Sequence, residues 1–246
     1  MKRGLVYGAI VFLGLVGMGL RIPGVGPDEA AQTASAQVSS DVSAAFLGGL
    51  RPTVANLIWI QAYGHWERRD VAALEQSVGW VLRLEPRNRA FWVQSARMFA
   101  YDVPRWEARA ALGPGFHDPE VIQPFRLRGA ERALVYLDAA TLFFPEDPVI
   151  EVDRALLHLN VTGDLAAAAQ AFRAAWEAPG GPYFAARLYG ELLRRLGQTE
   201  DALAWYIALL PGLDESSPAA QRETVLRRIV DIERELDNPG AFSGEN

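Results

Sequence analysis

Ala133, Ala168 and Ala202 recur at intervals of 35 and 34 positions, and the glycines Gly163 and Gly197 are themselves 34 apart. That interval is the length of a helical hairpin repeat, so it favours architectures in which one helix pair follows another along the chain. The neighbours of the alanines repeat too. Leu137, Phe172 and Tyr206 follow them by four positions, and Ala140, Ala175 and Leu209 by seven. Residues at those offsets share one helical face, where a small side chain lets a second helix approach and the large one fills the groove beside it. Gly163-Asp164-Leu165 and Gly197-Gln198-Thr199 each end one helix and begin the next, as glycine after a helix end does, and Pro145 stops the helix that contains Ala133.

The pattern is fullest between Tyr189 and Tyr206, with Gly190 in the first helix, Gly197 at the turn, and Ala202 and Tyr206 in the second helix. The hairpin before it, Pro148 to Pro179, holds Ala155, Gly163, Ala168, Phe172 and Ala175, with one extra residue at its turn. These residues resemble the tetratricopeptide-repeat family, whose hairpins carry a small residue in the first helix, a turn glycine, an alanine, an aromatic and an alanine in the second, and a closing proline. Further back, Ala90 to Phe99 supplies a first helix and Gly129 to Phe144 its partner, with 101–127 expected as an insertion between them. The earliest unit pairs Val54 to Trp66 with Val71 to Leu84 and closes with Pro86, although Leu74 stands where the pattern has alanine. The resemblance covers residues 54 to 211 and implies an all-α, right-handed α-solenoid of three to four TPR-like hairpins over 42–236.

In this family the first helix of each hairpin lines a concave groove that receives a peptide or helix of a partner protein. Carried onto this chain, the groove positions are Asn56, Trp59, Tyr63 and Trp66, then Ala90, Val93, Arg97 and Ala100, then Val149, Val152, Leu156 and Leu159, and last Phe184, Arg187, Glu191 and Arg194. The resemblance thus implies a groove that is aromatic at one end, aliphatic in the middle and basic at the other, where Arg187 with Arg194 would hold a carboxylate. Trp, Tyr and Arg dominate binding energy at interfaces. Against that stands the reading of Trp59, Trp66 and Trp92 as core residues and of the two arginines as a solvated face. The insertion carries Trp106, Phe116 and Phe125, too apolar to hang free in water, and is expected to lie over an edge of the array as a second partner site.

Met1-Lys2-Arg3 precedes an uncharged apolar run from Gly4 to Leu20. It reads as an N-terminal membrane anchor over 1–21, or else as a signal peptide. Arg21-Ile22-Pro23 directly after the run is a poor cleavage site, which favours the anchor, and the leading positive charges favour a cytoplasmic N-terminus with the repeats periplasmic at a bacterial inner membrane. Cleavage and secretion to the periplasm is the alternative. Residues 22–41, with Pro23, Pro27, Gly, Ala and Ser, are expected as a flexible linker. Ser217-Pro218 starts a terminal amphipathic helix whose stripe is Val225, Ile229, Ile232 and Leu236, expected to cap the last hairpin, and 237–246 is expected as a disordered tail.

Catalytic and metal signatures are missing. The chain has no Cys, which excludes disulfides, thiolate metal sites and Cys nucleophiles, and its three histidines, His65, His117 and His158, have no metal-ligand spacing. No phosphate loop or nucleophile elbow occurs, so no cofactor is expected. A net charge of -6 with dispersed arginines gives no footprint for nucleic acid. The leading expectation is a non-catalytic scaffold for protein partners of an envelope complex. Two alternatives stay open: a permanent structural subunit whose anchor packs through Gly4 and Gly8, and an enzyme using the insertion as a lid over His117, Asp118 and Glu120.

Overall fold

The structure, a computed structural model, describes residues 29–115 and 118–238. The apolar run 4–20, Phe116, His117 and the tail from 239 lie outside the described residues. Two compact units are present, Met1–Leu50 and Arg51–Asn246. All regular elements among the described residues are helical, and none of these helices is long and apolar enough to cross a membrane.

Helix α1 covers Glu29–Arg68. Residues 29–41, expected within the flexible linker, are helical; the stretch after Pro27 is rich in Ala and holds no Gly or Pro before Gly48, so nothing in it breaks a helix. The second unit continues with α2 (Val71–Leu84), α3 (Arg89–Arg97), a π turn (Met98–Asp102) and α4 (Val103–Leu112). Then come α5 (Pro119–Thr141), α6 (Pro148–Leu157), a second π turn (His158–Thr162), α7 (Leu165–Glu177), α8 (Tyr183–Arg195), α9 (Thr199–Leu209) and α10 (Arg222–Asp237).

Local chemistry explains the starts and stops. Asp70, Asn88, Asp118, Asp147 and Asp164 each accept a bond from a backbone N–H of the first turn that follows, satisfying a donor the helix leaves orphaned. Gly163 and Gly197 adopt left-handed backbone, φ 74° and 78°, as the repeated turn signal requires. Arg69, Glu146 and Gln221 take the same conformation without being glycine.

The expected insertion is no insertion. α3, the π turn and α4 run on without a break, and α5 returns along their whole length, so the extra residues lengthen both arms of one hairpin. Trp92 stacks with Phe143, Phe99 with Tyr136, and Pro104 lies against Gly129; one number rises as the other falls, which is antiparallel pairing. A Cβ on Gly129 would lie 2.2 Å from the Pro104 ring and 2.6 Å from the Phe99 carbonyl oxygen. Pro104 and Pro119 both sit in first helical turns, where their missing N–H costs nothing.

The extra residue of the next hairpin has a home as well. Ala155 precedes Gly163 by eight positions and Gly190 precedes Gly197 by seven. The π turn His158–Thr162 falls inside the longer interval and absorbs the additional residue by widening one helical turn.

The repeated positions are the core. Ala133, Ala140, Ala168, Ala175 and Ala202 are fully buried, as is Phe172, with Leu137 and Tyr206 nearly so. At Gly190 a Cβ would meet the Tyr206 ring at 2.5 Å, while the Tyr206 hydroxyl donates to the Arg187 carbonyl at 2.8 Å. This residue thus sets the crossing of α8 and α9. From α5 onward successive helices pack on one another: α5 on α6, α6 on α7, α7 on α8, α8 on α9, α9 on α10.

Candidate partner-binding groove

The four first helices place the sixteen groove positions in different settings. On α1, Asn56 and Tyr63 are exposed, whereas Trp59 is half-buried, with its ring 5.0 Å from Phe91 and 5.5 Å from Tyr63. Trp66 is also half-buried; its indole donates to Asp102 Oδ2 at 3.0 Å and its ring lies 5.8 Å from Trp106. Trp92 is buried and donates to the Pro86 carbonyl. The tryptophans of this region thus belong mainly to the core, and the exposed large apolar side chains of α1 among the described residues are Leu50, Val54, Leu57, Ile60 and Tyr63.

Between α3 and α6 an open groove of about 780 Å³ is lined by Ala90, Val93, Gln94, Arg97, Phe144 and Val149, with Arg87, Asn88, Arg89 and Asp147 at one end. Here the positions assigned by register do come together. Two ion pairs tie its walls: Arg89 Nη1 to Asp147 Oδ2 at 2.8 Å, and Arg97 to both carboxylate oxygens of Asp153, Nε at 2.9 Å and Nη2 at 3.1 Å. Asp153 is buried and Arg97 half-exposed, so one face of the guanidinium remains open to the groove. Burial lifts the Asp153 carboxyl above its ordinary pKa, and the bonds from Arg97 oppose that. Beneath the pair, burial and then the Asp153 charge raise the Tyr101 phenol. Ala100 is buried, and Val152, Leu156 and Leu159 are half-buried; these last three pack against the third hydrophobic cluster.

The expected basic end is spent within the molecule. Arg187 donates to the carbonyls of Ala219 and Ala220 at 3.0 and 3.1 Å. Arg194 pairs with Glu235 at 2.7 Å and Glu191 at 3.2 Å, and Arg228 reaches Glu191 at 3.2 Å. These groups hold α10 and the segment before it, so they form no open clamp for a carboxylate. Phe184 stays exposed at the rim of a cleft of about 290 Å³ shared with Arg187, Glu191, Tyr206, Val225 and Arg228. Burial, with the Glu191 charge second, pushes the Tyr206 phenol up to about 12.

Of the aromatics expected to form an insertion site, Trp106 and Phe125 are among the described residues. Trp106 on α4 packs into the first core cluster, and Phe125 on α5 lies under the Arg128 guanidinium, 4.6 Å from ring centroid to carbon. His65 Nδ1 lies 3.0 Å from Arg68 Nη2, and burial lowers the His158 pKa. Among the described residues no group of three or more His, Asp or Glu is placed to hold a metal.

What reading by residue missed is the partner of each groove arginine. Asp153, five residues after Pro148, reads in the sequence as an ordinary helix-start carboxylate. The usable signal was its distance from Arg97, 56 positions, nearly equal to the 58 between Arg89 and Asp147, as expected of two rungs between parallel helices. No protein-family model and no curated protein matches this chain.

Proposed function

We propose that this chain is a non-catalytic scaffold of the tetratricopeptide-repeat kind, an α-solenoid whose groove between α3 and α6 binds a segment of a partner protein. One observation carries the reading. The register taken from the alanine repeat selects Ala90, Val93, Arg97 and Val149, and these four line a single open groove. Apolar floor residues flanked by Arg97 and Arg89 suit an apolar segment carrying acidic side chains, with the exposed side of each guanidinium available for a further bond. Packing between successive helices supports the solenoid, since repeat arrays are held by nearest-neighbour contacts.

The place of action in this proposal is a bacterial inner membrane, with residues 4–20 as the anchor and the helical unit in the periplasm. The uncharged run after Lys2-Arg3 supports that part. The test is a photo-crosslinking residue introduced in full-length protein at Gln94 or Val149, with Leu226 on the exposed face of α10 as control. In native membranes the groove positions are expected to yield the same crosslinked protein, which disappears when Val149→Asp is added to the Gln94 probe. Equal yields from Leu226, or persistence in the Val149→Asp variant, would remove the groove from the account.

A further inference from the structure

On the side where α1 turns into α2, a separate cavity of about 350 Å³ is walled by Arg69, Asp102, Arg105, Trp106, Arg109 and Ile122. Arg105 and Arg109 stand four residues apart on α4 and share a face; Arg69 enters from the interhelical turn. None of these three guanidinium groups forms an ion pair among the described residues, while those of Arg89, Arg97, Arg132, Arg154 and Arg194 all do. The one carboxylate on the wall, Asp102, already accepts the Trp66 indole N–H at 3.0 Å. Three positive charges face one negative charge, in a protein whose net charge is -6.

The turn that carries Arg69 into the cavity has an unusual backbone. Arg69 holds φ 58° at a turn whose counterparts at Gly163 and Gly197 use glycine for the same left-handed conformation. Arginine there is disfavoured by its Cβ, as are Glu146 and Gln221 at their own turns, so the strain is shared with other turns, and what sets Arg69 apart is that its guanidinium lines the cavity. Half-buried Trp106, edge-on to Trp66, adds a flat apolar wall.

We propose that this cavity binds a phosphate-bearing anion, its oxygens held by Arg69, Arg105 and Arg109 and any apolar part lying along Trp106. Three planar forks match the several charged oxygens of a phosphate better than the two of a carboxylate. A soluble phosphate ester and the headgroup of an acidic phospholipid share this chemistry.

The probe is inorganic phosphate, titrated into the full-length chain in detergent at constant ionic strength and followed by tryptophan fluorescence. Saturable binding is expected, weakened at least tenfold in Arg105→Gln/Arg109→Gln and unchanged in Arg173→Gln, which is exposed elsewhere. Arg69→Gly separates the site from the fold: removing the strain should raise Tm while phosphate binding falls. Binding without saturation, or equal binding in wild type and the double variant, would overturn the site. Phosphate release by vesicles containing phosphatidylglycerol, but not by phosphatidylcholine alone, assigns the bound group to a lipid headgroup, and retention against both assigns it to a soluble ester.

Discussion

Around α7 and α8 helices meet through alanine, and around α3 to α5 they meet through rings. The cluster linking α6, α7 and α8 has eight buried residues, of which Ala155, Ala168, Ala169, Ala171, Ala175 and Ala185 are six. The first cluster instead buries Phe91, Trp92 and Phe99 and packs Trp59, Trp66, Trp106, Tyr136 and Phe144 against them. Small side chains fix how closely two helices lie and thereby the register between them. Aromatic side chains fill a wider gap and tolerate arms of unequal length, which is how the hairpin of α3, α4 and α5 accommodates its long arms and its π turn. The groove opens where these two styles of packing adjoin, between α3 and α6.

Truncating the one aromatic side chain buried in the alanine-rich cluster breaks that contrast hardest. Phe172 is fully buried among alanines that cannot reach inward to refill its space, so Phe172→Ala is expected to cost about 3–5 kcal/mol in urea unfolding. Gly190→Val comes next, at about 1–3 kcal/mol, because its Cβ would meet the Tyr206 ring at 2.5 Å and force α8 from α9. A loss no larger than that of an exposed substitution would mean that the alanine face does not set the crossing. Arg194→Gln is expected to cost about 1 kcal/mol or less, the worth of a partly exposed pair, and to raise proteolysis selectively within α10.

Smaller effects sharpen the groove. Because burial raises the Asp153 pKa, the folded state holds this proton more tightly than the unfolded chain. Its contribution to stability is then greatest in acid, declines as pH rises from the unfolded value of about 4 through the raised folded value, and is flat above. In a pH series of thermal unfolding, wild type should lose ground against Asp153→Asn across that window and stay level at neutral pH. A gain in the same window would reverse the sign of the burial argument. Deleting Asn160 from the second π turn should restore regular helix at a cost of about 1 kcal/mol or less, with unchanged far-UV circular dichroism.

Much of the all-helical fold was legible, because Ala133, Ala168, Ala202, Leu137, Phe172 and Tyr206 announce buried faces by spacing alone. The long hairpin was not. Pro104 and Pro119 mark helix starts in the sequence and Gly113-Pro114-Gly115 marks a turn, but nothing in the residues between says that the two segments prolong the flanking helices into one long hairpin, with Pro124 inside the second arm. Within the groove, periodicity located Val93, Arg97 and Val149 but said nothing of their partners. Whether Arg187 faces a ligand or the carbonyls of Ala219 and Ala220 depends on where α10 lies, and a hydrophobic period carries no such information. The cavity of Arg69, Arg105 and Arg109 escaped for the same reason, since it joins a turn to a helix 36 positions away.

Hydrogen exchange of the native chain, resolved by helix, tests the proposed nearest-neighbour stack most directly. Opening free energies are predicted to be graded, lowest in α10, higher in α9 and highest from α3 to α7, because each helix is held chiefly by those beside it. A single opening free energy shared by α3 to α10 would contradict the stack and make the second unit one cooperative globule.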